Sequence, residues 1–177
     1  MLRPLIQKIT PGLVGEKNTP ASDTPGQNEW KTKIRNRQDI PRPTFHQIYM
    51  ELAWGLAQRS TCLRLKVGTV IASRDFRKIL AVGYNGNASG LANRCDSEIP
   101  GQCGCLHSEE NASINYDSSR QMEKIIFVTH MPCHMCAKRL INLGSVTEVY
   151  YDQPYRKTEG VDLLRSVGIA VARYEVD

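Results

Sequence analysis

From residue 44 onward the apolar positions change period several times, and each change marks an element. Ile48, Tyr49, Leu52, Ala53 and Leu56 recur at helical spacing behind Thr44, a suitable N-cap, and predict a helix ending near Ser60. Val67 to Ser73 is short, apolar and β-branched, which predicts a strand. A polar turn, Arg74 to Arg77, joins it to a second strand, Ile79 to Tyr84, and the two form a hairpin. Residues 85 to 106 contain Gly86, Gly90, Pro100, Gly101 and Gly104 and read as a long loop, of a length that is generally functional inside a domain. His107 to Tyr116 is helical in pattern, and Lys124 to Thr129 is a strand. Pro132 suits the first turn of a helix that runs to about Asn142 and is closed by Gly144. Val146 to Tyr151 is a fourth strand, Asp162 to Val167 a short helix stopped by Gly168, and Ile169 to Val176 a fifth strand. Helices inserted between strands favour an α/β architecture, a layered sheet with helices on its faces.

Composition changes this picture mainly at the N-terminus. The 177 residues, 41% hydrophobic and 23% charged, describe one globular domain with room for an appendage. A formal net charge of +5 first suggests a nucleic-acid partner. Residues 1–43 hold eight basic residues against four acidic ones, however, so +4 lies there and only +1 lies in 44–177. The same segment holds six of the nine prolines, and 18–28 is rich in Thr, Pro, Ser, Gly and Asn. It reads as a flexible, basic, Pro-rich extension over 1–43, ahead of a domain over 44–177. Trp30 beside the run Lys31 to Arg37 fits a solvated tail better than a nucleic-acid arm, because one aromatic makes a poor stacking platform. No apolar run approaches the roughly 20 residues needed to cross a bilayer. Arg3, Pro4, Lys8 and Pro11 interrupt any leader-like segment, which argues against a secreted disulfide protein.

The chemistry is concentrated in two segments: His107, Ser108, Glu109; and Pro132, Cys133, His134, Met135, Cys136. Taken alone, a Cys-x-x-Cys pair fits a redox pair or half of a structural zinc site. Two cysteines three apart at a helix start share one face, and the helix N-terminus favours their thiolates. With His107 they make three N/S ligands, which suits Zn2+ with a fourth position left for water. Glu109, two residues from His107, is placed to move protons. The pattern His-x-Glu followed by Pro-Cys-x-x-Cys is that of zinc deaminases. The competing reading, a closed structural zinc knot, has no use for Glu109. His134 falls between the cysteines and reads as a non-ligand; His46 and His130 have no partner motif.

At these residues the chain resembles the deoxycytidylate (dCMP) deaminase family of the cytidine deaminase-like superfamily. His107 to Ala112 is similar to its His-Ala-Glu-x-Asn-Ala, with Ser108 in place of the Ala. Pro132 to Lys138, continuing to Gly144, is similar to its Pro-Cys-x-x-Cys-Ala-Lys helix. Gly83 to Gly86 is similar to its Gly-Tyr-Asn-Gly loop, and Ala57 to Ser60, Val67 with Gly68, and Gly168 to Val171 resemble its first helix end, first strand and closing strand. The resemblance spans about residues 44–177. It implies a three-layer α/β/α cytidine deaminase-like fold with a five-stranded mixed sheet. It implies hydrolysis of dCMP to dUMP and ammonia, with Glu109 catalytic and His107, Cys133 and Cys136 holding Zn2+. It further implies Asn85, Asn111 and Tyr155 near the nucleotide, with Arg59, Ser60 and Lys66 offered to its phosphate. A homo-oligomer, a hexamer first, in a bacterial or phage-infected cytoplasm completes the implied picture, with dCTP and dTTP as allosteric nucleotides and Mg2+ accompanying them. The pair Asn87 and Ala88 departs from the proline-containing form of the loop that carries this regulation.

Cys62, Cys95, Cys103 and Cys105 remain. The resemblance implies a second, structural Zn2+ with Cys62 and Cys95 in the places of two ligands and Cys103 and Cys105 completing the set. Buried free thiols and a disulfide are the other readings. Deaminases of dCTP, of a modified dCMP, or of DNA, RNA or tRNA share the catalytic zinc pattern. A polynucleotide substrate calls for a basic groove, which a domain charge of +1 does not supply.

Overall fold

A central strand, β3 (Lys124–His130), organises the domain: its residues from Lys124 to Thr129 are buried, so it must be covered on both faces. In the computed structural model the described residues are 41–99, 102–155 and 157–175. The expected extension over 1–43 therefore lies almost wholly outside the described residues. The elements follow the expected order: α1 (Phe45–Ala57), β1 (Gly68–Ser73), β2 (Ile79–Tyr84), α2 (Ser108–Ile114), then β3, α3 (His134–Leu143), β4 (Val146–Gln153), α4 (Glu159–Ser166) and β5 (Ala170–Arg173).

The sheet has the strand order β2-β1-β3-β4-β5. β1 runs antiparallel to both β2 and β3, whereas β3, β4 and β5 run parallel, so the sheet is mixed. Alternation along the strands divides the core. Val70, Ala72, Ile125 and Phe127 point to one face and pack against Tyr49, Met50 and Ala53 of α1. Ile71, Ile126, Val128 and Val149 point to the other and pack against Ala112 of α2, Leu140 of α3 and Leu164 of α4. This is the expected three-layer α/β/α arrangement. Each fully buried Ile, Val or Phe contributes about 1.5–3 kcal/mol of transfer free energy, and β3 places four of them in the core.

Local chemistry sets the boundaries. Thr44 caps α1 as expected, its Oγ1 accepting from the Gln47 amide at 3.2 Å. α1 stops at Ala57, short of Ser60, where Gln58, Arg59 and Ser60 continue in tight turns. Pro132 lies just outside α3 rather than in its first turn, because Cys133 takes the N-cap position and its Sγ accepts from the Cys136 amide. Gly144 closes that helix at a φ of +81°. α4 begins at Glu159, ahead of the expected Asp162, and β5 spans only Ala170–Arg173. Within the long loop, Gly86 and Leu106 exchange backbone hydrogen bonds of 3.1 and 2.8 Å, an isolated bridge the sequence did not announce. No helix among the described residues is long and apolar enough to cross a membrane.

Candidate functional site

The two helix starts that carry His107 and Cys133 lie at the same edge of the sheet. His107 is the N-cap of α2, with extended backbone, and its ring makes no capping bond, which leaves Nδ1 available. Nδ1 lies 3.6 Å from Sγ of Cys133 and 3.3 Å from Sγ of Cys136. The three donor atoms are all within 4.8 Å of one another. Cys136 is fully buried, whereas His107 is exposed, so the cluster opens to solvent on the imidazole side. Arg139 of α3 pairs with Glu110 of α2 at 3.0 Å and ties the two helices together.

The electrostatics suit a cation. The hydrogen bond from the Cys136 thiol, with those from His107 and the Cys136 amide, pulls the Cys133 thiol down to about 3 against the effect of burial. Cys136 is pushed up, first by Cys133 beside it and then by burial. The two shifts are opposite in sense, with Cys133 the thiol that ionises more readily. His107 is raised, chiefly by its bond to Cys133. Glu109, 4% exposed, is raised by burial. Its Oε2 accepts from Ser108 Oγ at 3.0 Å, and Ser108 Oγ lies 2.7 Å from Oγ1 of Thr69 on β1.

A second sulfur cluster sits in the long loop. Sγ of Cys62, Cys103 and Cys105 are within 4.8 Å of one another. Cys95 joins them, 3.8 Å from Cys62 and 3.7 Å from Cys105. Four thiolates around zinc at bonds of about 2.3 Å stand about 3.8 Å apart, which is the separation of Cys95 from Cys62 and from Cys105. All four cysteines are free thiols rather than disulfides. Burial and the neighbouring sulfurs push Cys105 up, whereas hydrogen bonds from Leu65, Arg64 and the other cysteines bring Cys62 down despite its burial.

The remaining candidates gather only in part. Asn85 is buried and spans the 65–67 segment: Oδ1 accepts from the Val67 amide at 2.8 Å and Nδ2 donates to Leu65 O at 2.7 Å. Asn111 Nδ2 donates to Tyr84 O at 2.8 Å, next to Asn85. Ser60 is buried and accepts from the Cys62 amide at 3.2 Å. Arg59 and Lys66 are exposed, and Tyr155, just past β4, is 42% exposed. His46 stacks into an aromatic group with Phe76, Phe127 and Tyr150, and His130 meets Trp54 edge-on, so both are packing residues. His134 is exposed on the first turn of α3 and stays out of the ligand cluster.

Two contributors escaped the sequence reading. Thr69 reaches the site through Ser108, from 39 positions away. Thr61 Oγ1 is buried without a hydrogen-bond partner among the described residues, and it stands beside Gly86. Neither belongs to a motif, and both are marked only by their position in space.

Comparison with known proteins agrees with this geometry. Residues 43–153 match the family model described as the cytidine and deoxycytidylate deaminase zinc-binding region. The chain is 33% identical over 154 residues to the deoxycytidylate deaminase of Saccharomyces cerevisiae, covering 80% of this chain and 48% of the yeast protein. It is 34% identical over 151 residues to ComE operon protein 2 of Bacillus subtilis, covering 78% of this chain and 75% of that one. Among solved structures, dCMP deaminase from the cyanophage S-TIM5, in complex with dCMP and dUMP, aligns with a TM-score of 0.66 and 34% identity. That alignment covers 76% of this chain and all of the phage chain. The chain spans about half the length of the yeast relative.

Proposed function

The chain belongs to the cytidine and deoxycytidylate deaminase family, and we propose on that basis that it hydrolyses dCMP to dUMP and ammonia. The observation that carries this reading is the meeting of His107, Cys133 and Cys136 at two helix starts, with Glu109 buried in the turn that follows. One imidazole and two sulfurs, with the Cys133 thiol held low by its hydrogen bonds, are a donor set that fits Zn2+ with one position left over. Zinc held there supplies Lewis-acid charge and brings the pKa of a water towards neutrality.

The rest falls to the chain's own side chains. The Glu109 carboxylate takes a proton from the water that attacks C4 of the cytosine and passes it to N3. It then takes the remaining proton from the hydroxyl now on C4 and delivers it to the amino group, so that C4 becomes a carbonyl as the C4–N bond breaks and ammonia leaves. Burial raises the Glu109 carboxyl, which makes it a stronger base than an exposed glutamate. Asn85 and Asn111 are offered to the nucleoside, each keeping hydrogen-bonding capacity beyond the contacts described above. Ser60, Arg59 and Lys66 are offered to the phosphate, and Tyr155 to a packing contact with the substrate. The bonds from Asn85 to Leu65 and Val67, which flank Lys66, support the grouping of those two residues.

The spacing of Cys62, Cys95, Cys103 and Cys105 supports a second, structural Zn2+. The family resemblance over 44–177 supports a cytoplasmic homo-oligomer with a hexamer as the first expectation, and control by dCTP and dTTP with Mg2+ is proposed with it, although Asn87 and Ala88 depart from the loop that carries that control; gel filtration and nucleotide titration test these. The domain over 44–177 is proposed as the whole catalytic unit, so removal of residues 1–40 leaves turnover intact at constant assembly state. The deciding experiment is a turnover panel of dCMP, dCTP, CMP, deoxycytidine and single-stranded DNA. Preference for dCMP bears the reading out. Preference for dCTP or for the polynucleotide replaces it.

A further inference from the structure

Glu109 is held from a direction unrelated to the metal cluster. Ser108 Oγ lies 3.0 Å from Oε2 of Glu109 and 2.7 Å from Oγ1 of Thr69. Thr69 and Ser108 are fully excluded from solvent and Glu109 is 4% exposed, so water does not compete for these bonds. From this buried chain of contacts we infer that Thr69 and Ser108 form a two-hydroxyl positioning pair that fixes the orientation of the Glu109 carboxylate for proton transfer. The inference rests on the deaminase reading given above.

Hydrogen-bond arithmetic sets the direction of the chain. An ionised carboxylate only accepts, so the single proton of Ser108 goes to Oε2. Ser108 Oγ must then accept from Thr69, which donates. Thr69 is anchored where the sheet is most rigid: β1 is paired on both sides, and Thr69 faces Gly83 on β2 and Val128 on β3. The terminal torsion of a glutamate is otherwise broad and roughly two-fold. Engaging Oε2 restricts that freedom, and the carboxylate also accepts from its own backbone amide. Because hydroxyls both donate and accept, the contact is kept whether the carboxyl carries its proton or has delivered it. Both hydroxyls are already engaged, Thr69 with Ser108 and Ser108 with Glu109.

The test compares wild type with Ser108→Ala, Thr69→Val, Thr69→Ser and the Ser108→Ala/Thr69→Val double variant. For each, kcat and KM for dCMP and zinc per chain are measured on metal-loaded protein. Loss of a buried bond to a charged group should lower kcat of Ser108→Ala by about tenfold, with KM and zinc content unchanged. Thr69→Val should lose about threefold, Thr69→Ser should keep wild-type kcat, and the double variant should be no worse than Ser108→Ala alone. Unchanged kcat in Ser108→Ala, a loss confined to KM, a parallel loss of zinc, or additive losses would each overturn the inference. A second readout needs no substrate: in crystals of Ser108→Ala the Glu109 carboxylate should turn away from its wild-type orientation. If it does not turn, the inference fails. Wild type inactive on dCMP would refute the deaminase reading instead, and the carboxylate orientation would still decide the role of the pair.

Discussion

Gly83 of β2 lies so close to the first turn of α2 that a Cβ there would overlap the carbonyl oxygen of Ser108. The amide nitrogen of Ala112, one turn on, blocks the same space. Backbone meets backbone, so no side chain can swing aside to make room. Gly83→Ala should force α2, and with it His107 and Glu109, off the sheet. The expected cost is about 1–3 kcal/mol, read as a melting temperature lower by several degrees, together with a loss of turnover. An unchanged melting temperature would show that the two backbones have room to spare.

Glu109→Gln keeps the size of a side chain that is almost wholly buried. It should retain zinc at wild-type stoichiometry, because the ligands His107, Cys133 and Cys136 are untouched. Turnover should fall by about 10²–10⁴-fold, the range for loss of a positioned general acid–base group. Metal analysis beside steady-state assays checks both halves. Substantial remaining activity would remove Glu109 from its assigned role.

The buried Glu109 carboxyl is held above its ordinary value near 4.5. Between that value and the raised one, the folded chain keeps a proton that the unfolded chain releases. Folding is therefore favoured at the acid end of the window and loses stability as pH rises through it. In metal-free protein, Glu109→Gln should match wild type at about pH 4 and gain on it towards pH 7. Denaturant midpoints for the two proteins at several pH values test the sign. A difference that stays constant with pH would contradict it.

Cys103→Ser removes one corner of the sulfur cluster, in which Cys62, Cys103 and Cys105 lie within 4.8 Å of one another and Cys95 lies beside Cys62 and Cys105. Zinc should fall from two ions per chain to one. The melting temperature should drop by at least ~5 °C, since a bound metal contributes directly to folding. Fully active wild-type protein holding one zinc per chain would sink the second site.

Much of this was legible in the sequence because it depends on neighbours along the chain. The buried run Ile125 to Val128 announced a central strand, Thr44 its helix, and His107, Glu109, Cys133 and Cys136 their shared chemistry. The misplacements are local competitions. Pro132 suits a first helical turn, but Cys133 outcompetes it for the start of α3 by accepting the Cys136 amide. Asn85 looked like a ligand-facing amide, and its two ends also hold Leu65 and Val67 in place. What stayed hidden joins distant positions. Trp54 donates to Asp152 across 98 positions and Thr69 meets Ser108 across 39, and neither pair leaves a periodicity or a motif behind.

The reciprocal bond between Gly86 and Leu106 pinches the chain into a neck. Asn85 lies on one side of the neck and His107 on the other, and the loop is fastened a second time where Cys95, Cys103 and Cys105 meet Cys62. The separation between the strand end that carries Asn85 and the helix start that carries His107 is therefore set by two backbone bonds, and no side chain has to be of a particular kind to keep it.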